Sequence, residues 1–264
     1  MAIEVFNRYE NKYLIGEDAF GGLQCRLSEF MDSDEYSKAD FTYPICNIYY
    51  DTEDSRLIRE SLSKPLYKEK LRLRSYGTPT EGSTVYAEIK KKFNGKVNKR
   101  RSGLKLAEAY TFLNTRRLPV LQPYMNAQVL RETQYLLSRM PLKPVVYISY
   151  ERRAFRNDET DLRVSFDTNI LSRRTDLRLE SGIYGKPLLS DGKWLMEIKT
   201  ADTVPLWLSK LLAEYDIKPV SLSKYGVEYQ KTLAAELKKP ILRVFAFPRT
   251  APRAEETELA FAFA

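Results

Sequence analysis

Polar and apolar residues alternate with a period of two along much of the chain, and between Lys68 and Arg74 the alternation is strongly charged. KEKLRLR sets Lys68, Lys70, Arg72 and Arg74 on one side of a strand, with Glu69, Leu71 and Leu73 on the other. Other rows follow the same rule. Arg8, Glu10 and Lys12 share a face of a strand over 3–15, and Glu88, Lys90 and Lys92 share a face of one over 83–92. Arg163, Ser165 and Asp167 do so over 161–170, and Glu197 with Lys199 over 194–200. Further strands are predicted at 43–51, 67–76 and 145–155, the last forming a hairpin with 161–170 across the turn RNDET. Helical spacing appears at Phe20, Leu23, Leu27 and Phe30, predicting a helix over 17–31. Shorter helices are predicted near 53–62, 204–214 and 222–238, and a helical stretch over 104–140 is broken by Pro119 and Pro123. Asn94-Gly95 marks a turn, and the basic run Lys96, Lys99, Arg100 and Arg101 after it reads as a solvated loop or as a basic collar.

Each charged row faces away from an apolar row, such as Leu71 with Leu73, or Ala87 with Ile89. Helices would cover the apolar faces. Two architectures then fit: an open antiparallel sheet with one solvated, charged face, or a closed barrel with a polar lumen. The fold class is α+β in both. One domain is expected over 1–238, followed by a poorly ordered tail over 239–264 that mixes prolines and charges with little pattern.

Composition narrows the chemistry. The chain has 264 residues, a net charge of +8 from 43 basic and 35 acidic side chains, and no histidine. A basic excess suits phosphate-rich ligands, nucleic acid or an anionic membrane surface. Without histidine there is no Ser-His or Cys-His nucleophile and no His-ligated metal, which leaves carboxylates, cations and a hard metal ion. Cys25 and Cys46 have neither disulfide-framework nor zinc spacing and are expected as reduced thiols in the core. With no membrane-length apolar run and no signal-like N-terminus, the expected location is the cytoplasm.

In chain order, NKYLI (11–15), NIYYDT (47–52), LRLRSYG (71–77), AEIKKK (87–92), KPVVYISYERRAF (143–155), LRVSFDT (162–168), LMEIKT (195–200) and LSKYG (222–226) resemble the VTC domain. That domain is the polyphosphate polymerase module of the CYTH-like triphosphate tunnel metalloenzymes, and the resemblance covers roughly residues 3–230. It implies a closed eight-stranded antiparallel β-barrel with helices packed outside. ATP and inorganic polyphosphate or triphosphate would be the ligands, with Mn²⁺ or Mg²⁺ as cofactor. Matched motif by motif, Lys12, Arg72, Arg74, Lys90, Arg152, Arg163, Lys199 and Lys224 would be the phosphate ligands, and Glu197 the metal ligand. Glu10, Lys70, Glu88, Lys92, Tyr150 and Ser223 would support substrate binding. The chain looks like the stand-alone bacterial form, so any link to a membrane would need a partner protein.

The implied reaction agrees with the composition. Phosphoryl transfer asks mainly for alignment and charge neutralisation. The terminal oxygen of a growing polyphosphate is already ionised at neutral pH and needs no general base. Hydrolysis by a tunnel triphosphatase is the nearest rival, but such enzymes carry an ExExK motif on the first strand. Here that strand reads RYENK, with Arg8 where the first glutamate would be. A non-catalytic module for polyphosphate or nucleic acid is the other alternative. Nucleic acid is not expected, because the basic residues alternate along strands rather than clustering with exposed aromatics.

Overall fold

The computed structural model describes residues 5–37, 41–201 and 203–237. The tail expected over 239–264 lies outside the described residues. In chain order the elements are β1 (Val5–Gly16), α1 (Glu17–Leu27), β2 (Asp32–Ser33), β3 (Tyr43–Asp51), α2 (Arg56–Leu62), β4 (Tyr67–Tyr76), β5 (Thr84–Phe93) and β6 (Lys96–Lys105). There follow α3 (Leu106–Thr115), α4 (Ala127–Arg139), β7 (Lys143–Asn157), β8 (Leu162–Arg173), β9 (Lys186–Pro187), β10 (Lys193–Thr200), α5 (Leu206–Glu214) and α6 (Lys224–Leu237). Among the described residues no helix is long and apolar enough to cross a membrane.

All strands join one antiparallel sheet in the order β2-β7-β3-β4-β5-β6-β1-β10-β8-β9. The expected eight-stranded closed barrel is corrected here: the sheet has ten strands, and its order ends on two open edges, β2 and β9. Both are two residues long, too short to leave any period in a sequence. The eight long strands have a further link. Tyr147–Asn157 of β7 pair with β8 on one side while Tyr43–Asp51 of β3 pair with β7 on the other, so every long strand has a neighbour on both sides.

Helices cover the outer face, as the alternation requires. Leu71, Leu73, Ala87 and Ile89 pack with Phe112 and Leu113 of α3 and Leu130 and Leu137 of α4. A second cluster joins Val164, Phe166, Met196 and Ile198 to Leu23 and Leu27 of α1 and Leu208 and Leu211 of α5. Phe20 stacks on Trp194 with ring centroids 3.6 Å apart, and the indole N–H donates to Glu17 at 2.6 Å, which fixes α1 on the sheet. A third cluster lies on the inner face, where Ile45, Ile148, Ile170 and Leu195 meet Ile58 of α2 and Tyr225 of α6.

Three local expectations are revised. Residues 96–105 form β6 rather than a loop, and the helical stretch over 104–140 begins only at Leu106. The first helix ends at Leu27, not residue 31, and Phe30 lies beyond it, stacked on Trp207 at 4.4 Å. Cys46 is buried, but Cys25 is exposed because it falls opposite the Phe20–Leu23–Leu27 stripe of α1. Both are free thiols.

Candidate active site

Cross-strand partners in an antiparallel pair share a face, so register alone gathers the charged residues. Lys70 pairs with Lys90, and Lys90 with Lys99. Beside that row, Tyr49 pairs with Arg72, Arg72 with Glu88, and Glu88 with Arg101. Across the interior, Lys12 pairs with Glu197 and Glu197 with Ser165, while Glu10 pairs with Lys199 and Lys199 with Arg163. These rows surround a cavity of about 1040 Å³.

The structure brings the expected residues together. Lys12, Arg72, Arg74, Lys90, Arg152, Arg163, Lys199 and Lys224 all line the cavity. Glu10, Lys70, Lys92, Tyr150, Ser223 and Glu197 line it as well. Glu88 lies behind the lining, 1% exposed. It accepts Arg72 Nε at 2.8 Å, and Lys99 Nζ lies 2.9 Å and Arg74 Nε 3.7 Å away. Burial alone would raise its pKa, but Arg74, Lys99 and Arg72 outweigh burial and hold it well below the usual carboxylate range.

The other acids are neutralised in the same way. Glu197 lies 3.0 Å from both Lys12 and Lys199, 3.6 Å from Lys224 and 3.8 Å from Arg152. Glu10 accepts from Lys90 at 2.7 Å and lies 3.3 Å from Lys12. Burial opposes ionisation of both, yet the surrounding lysines keep them charged at any ordinary pH. Asp167 receives a bidentate Arg152 fork at 2.6 and 2.8 Å, and Lys224 also donates to it. Lys70 is different. Its ammonium has no carboxylate within ion-pair reach among the described residues and donates only a long bond to Ser223 Oγ, at 3.4 Å. Burial and the nearby Lys90, Lys12, Lys68 and Arg72 push it down to about 7.

Two expected hydrogen-bond donors have structural duties. Tyr150 accepts Arg74 NH2 at 2.9 Å while Lys224 Nζ lies 4.3 Å from its ring centroid, which fixes both cations on one side chain. Its O–H proton is still free to donate. Ser223 caps α6: its carbonyl accepts the Val227 N–H and its hydroxyl accepts the Gly226 N–H, both at 2.9 Å. LSKYG is therefore a cap followed at once by Lys224, the first helical residue, 7% exposed and directed at Asp167 and Glu197.

Four residues lie outside the site set expected from the sequence. Lys99 and Arg101, expected in a solvated loop or a basic collar, line the cavity from β6. Asp51 carries the α2 and α6 positions: its carboxylate accepts the N–H groups of Leu57 at 2.8 Å and Ile58 at 3.0 Å and the Tyr225 hydroxyl at 2.9 Å. The pairing of Ser165 with Glu197 could have been inferred from alternation, and its buried hydroxyl has no hydrogen-bond partner among the described residues.

For a divalent ion, the donor chemistry fits in one way. Among the described residues no group of three or more His, Cys, Asp or Glu is placed to hold a metal. Glu197 and Glu10 do offer hard oxygen donors, and Mg²⁺-type ions are commonly held by one or two carboxylates plus substrate phosphates. The residues therefore suit an ion shared with bound phosphate.

The VTC domain matches residues 7–233. No curated protein matches. Among solved structures, a "putative adenylate cyclase" from Bacillus halodurans is 16% identical with a TM-score of 0.51, the alignment covering 84% of this chain and 96% of the other. A Hippeastrum protein described as a "putative adenylyl cyclase" with dominant triphosphatase activity is 14% identical with a TM-score of 0.46, over 87% of this chain and 96% of the other. At these identities the likeness to the Bacillus protein is one of fold. The match over nearly the whole described chain places it by sequence: the chain belongs to the VTC domain family.

Proposed function

We propose that this protein is a polyphosphate polymerase, transferring the terminal phosphoryl group of ATP to a growing inorganic polyphosphate chain. The observation that carries the proposal is the cavity wall, where fifteen Lys and Arg side chains face four Asp and Glu. Only a polyanion compensates so one-sided a lining. The cyclic pairing of the eight long strands supports reading this cavity as a tunnel through which a chain can extend.

In this proposal Arg72, Arg74 and Arg152 meet phosphate oxygens with the guanidinium N–H groups left over from their bonds to Glu88, to Asn47 and Tyr150, and to Asp167, and Lys12, Lys90, Lys199 and Lys224 act as point charges along the chain. Lys70 and Lys92 extend that row, and Arg163 with Ser165 lines the opposite wall. Glu88 and Glu10 hold their cations in register, and Glu197 would hold a Mg²⁺ or Mn²⁺ ion together with phosphate oxygens. Such an ion, when bound, neutralises charge on the transferring phosphate. The acceptor oxygen is ionised, so the side chains need only align two anions and screen their repulsion. Cytoplasmic residence and a possible membrane-protein partner belong to the same proposal.

A second reading, tunnel triphosphatase, draws support from Glu10 and Glu197, which flank Lys12 at 3.3 and 3.0 Å and could orient a water. One experiment separates the readings. Purified protein is incubated with ATP and Mn²⁺, with and without a short polyphosphate primer, and ADP, free phosphate and long chains are followed together. ADP with growing chains is the expected result. Free phosphate without chains would make it a triphosphatase, and binding of polyphosphate without turnover would make it a binding module.

A further inference from the structure

Along β4 and β5 the inward row changes chemistry toward one end. Lys68 pairs with Lys92 at one end, and Arg74 with Tyr86 at the other. Six strand residues, about 20 Å, separate the two. Beyond Arg74 and before Glu88, the next inward positions are Tyr76 and Tyr86, and on β3 Tyr43 lies one inward step beyond Ile45, the partner of Tyr76. One mouth of the cavity is thus lysine-rich and the other aromatic.

The aromatic mouth is built. Tyr36 stacks parallel to Tyr76, with centroids 5.4 Å apart and planes 10° from parallel, and Tyr43 lies 5.5 Å from Tyr36. Tyr86 meets Tyr76 edge-on at 5.8 Å. Arg101 lies over the Tyr86 ring at 4.7 Å and donates to the Tyr76 hydroxyl at 3.4 Å. The turn carrying Tyr36 is tied to β7: the Asp34 N–H donates to the Ala154 carbonyl at 2.9 Å, and the Ala154 N–H donates to Ser37 Oγ at 3.0 Å. Even so, Tyr36 is 53% and Tyr76 37% exposed. Rings with a purely structural role would bury more of their surface, since apolar area left in water contributes nothing to stability.

We propose that this tyrosine cluster is a nucleobase site: the base of a nucleoside triphosphate stacks on the exposed face of the Tyr36–Tyr76 pair beside Arg101, while its phosphates reach Arg74 and Arg72. Asp34 and Glu35 line the same mouth beside Arg101 and Arg156, so its charge is mixed and attracts a polyanion less than the all-lysine end does, whereas an uncharged base is indifferent to that mixture. The growing chain is then directed to the opposite mouth, lined by Lys64, Lys68 and Lys92. The inference rests on the cavity being a triphosphate site, and tripolyphosphate, which has phosphates but no base, tests that premise separately.

Affinities for ATP and for tripolyphosphate are measured by calorimetry on the wild type and on Tyr36→Ala, Tyr76→Ala and Tyr76→Trp. Loss of one stack weakens ATP about tenfold, equivalent to about 1.4 kcal/mol. Tripolyphosphate affinity stays unchanged in all variants, and Tyr76→Trp retains ATP affinity. Tyr36 is on an exposed turn, so its variant reads out binding rather than folding. ATP affinity unchanged in both alanine variants, or ATP and tripolyphosphate weakened equally, overturns the base site while leaving the triphosphate reading intact. Failure of the wild type to bind either ligand overturns both.

Discussion

Lys70 and Lys99 are lumen lysines that burial brings down to about 7, in Lys70 with the help of neighbouring cations and in Lys99 against the pull of Glu88. Below about pH 7 both are charged, and above it both lose their protons. A polyphosphate beside them favours the charged form, so binding above pH 7 takes up protons and affinity falls as pH rises. Calorimetric titrations in two buffers of different ionisation enthalpy measure the uptake; equal heats would exclude it. Stability of the ligand-free protein moves the other way. Between about 7 and the ordinary lysine value of 10.5 the unfolded chain holds more protons at these two positions, so their contribution to stability rises with pH. Arg72 supports a second prediction at this scale. Arg72→Ala should lower kcat/KM by about 10²–10³, the usual cost of removing one preorganised charge donor. Glu88 keeps Lys99 at 2.9 Å and Arg74 at 3.7 Å, so the destabilisation should stay under the ~3–5 kcal/mol of an unpaired buried charge in a urea melt. Full activity would remove Arg72 from the site.

At the scale of elements, α6 delivers Lys224 from a cap built within the LSKYG segment and packed against Leu62 of α2. The Gly226 N–H is spent on the Ser223 cap, and a Cβ at Gly226 would approach Ser223 Oγ to 2.6 Å and Leu62 to 3.2 Å. Gly226→Ala must therefore push the start of α6 away from α2 and shift Lys224 with it. The expected outcome is a larger loss of activity than of stability. A variant with normal kcat/KM would mean that the helix start tolerates the shift. Asp51→Asn replaces one accepting oxygen with a donor facing N–H and O–H groups, and should cost about 1–3 kcal/mol in chemical denaturation. The same elements show what alternation could and could not reveal. β4, β5 and β10 were legible because each sets a charged row against an apolar one. β6 was not, since both of its faces are polar: Lys99 and Arg101 face the cavity, while on the other face Arg100 pairs with Glu132 of α4 and Ser102 accepts the Asn126 N–H. Asp51 was invisible for a related reason, because the partners through which it holds α2 and α6 are backbone groups six and seven residues away and a hydroxyl on a distant helix.

For the molecule as a whole, the distribution of charge matters more than its total. The cavity lining alone carries an excess of cations larger than the net +8 of the chain, so the remainder of the protein is slightly acidic. On the proposed reading the field is concentrated at the cavity, and the outer surface should not bind nucleic acid. Cations held close together repel one another in the ligand-free state, and a bound polyanion removes that repulsion as well as adding its own contacts. Tripolyphosphate at one hundred times its Kd should then add about 2.7 kcal/mol to stability. For a chain of this size that corresponds to a rise in Tm of roughly 5–10 °C. The rise should shrink as potassium chloride is increased from low to molar concentration, because the binding is largely electrostatic, yet persist in part because the pairs form away from bulk solvent. Thermal melts with tripolyphosphate, polyphosphate and a single-stranded oligonucleotide at equal phosphate concentration make the comparison. Equal stabilisation by the oligonucleotide would place the binding on an open surface instead of in the cavity, since its bulky bases would meet no enclosing wall there.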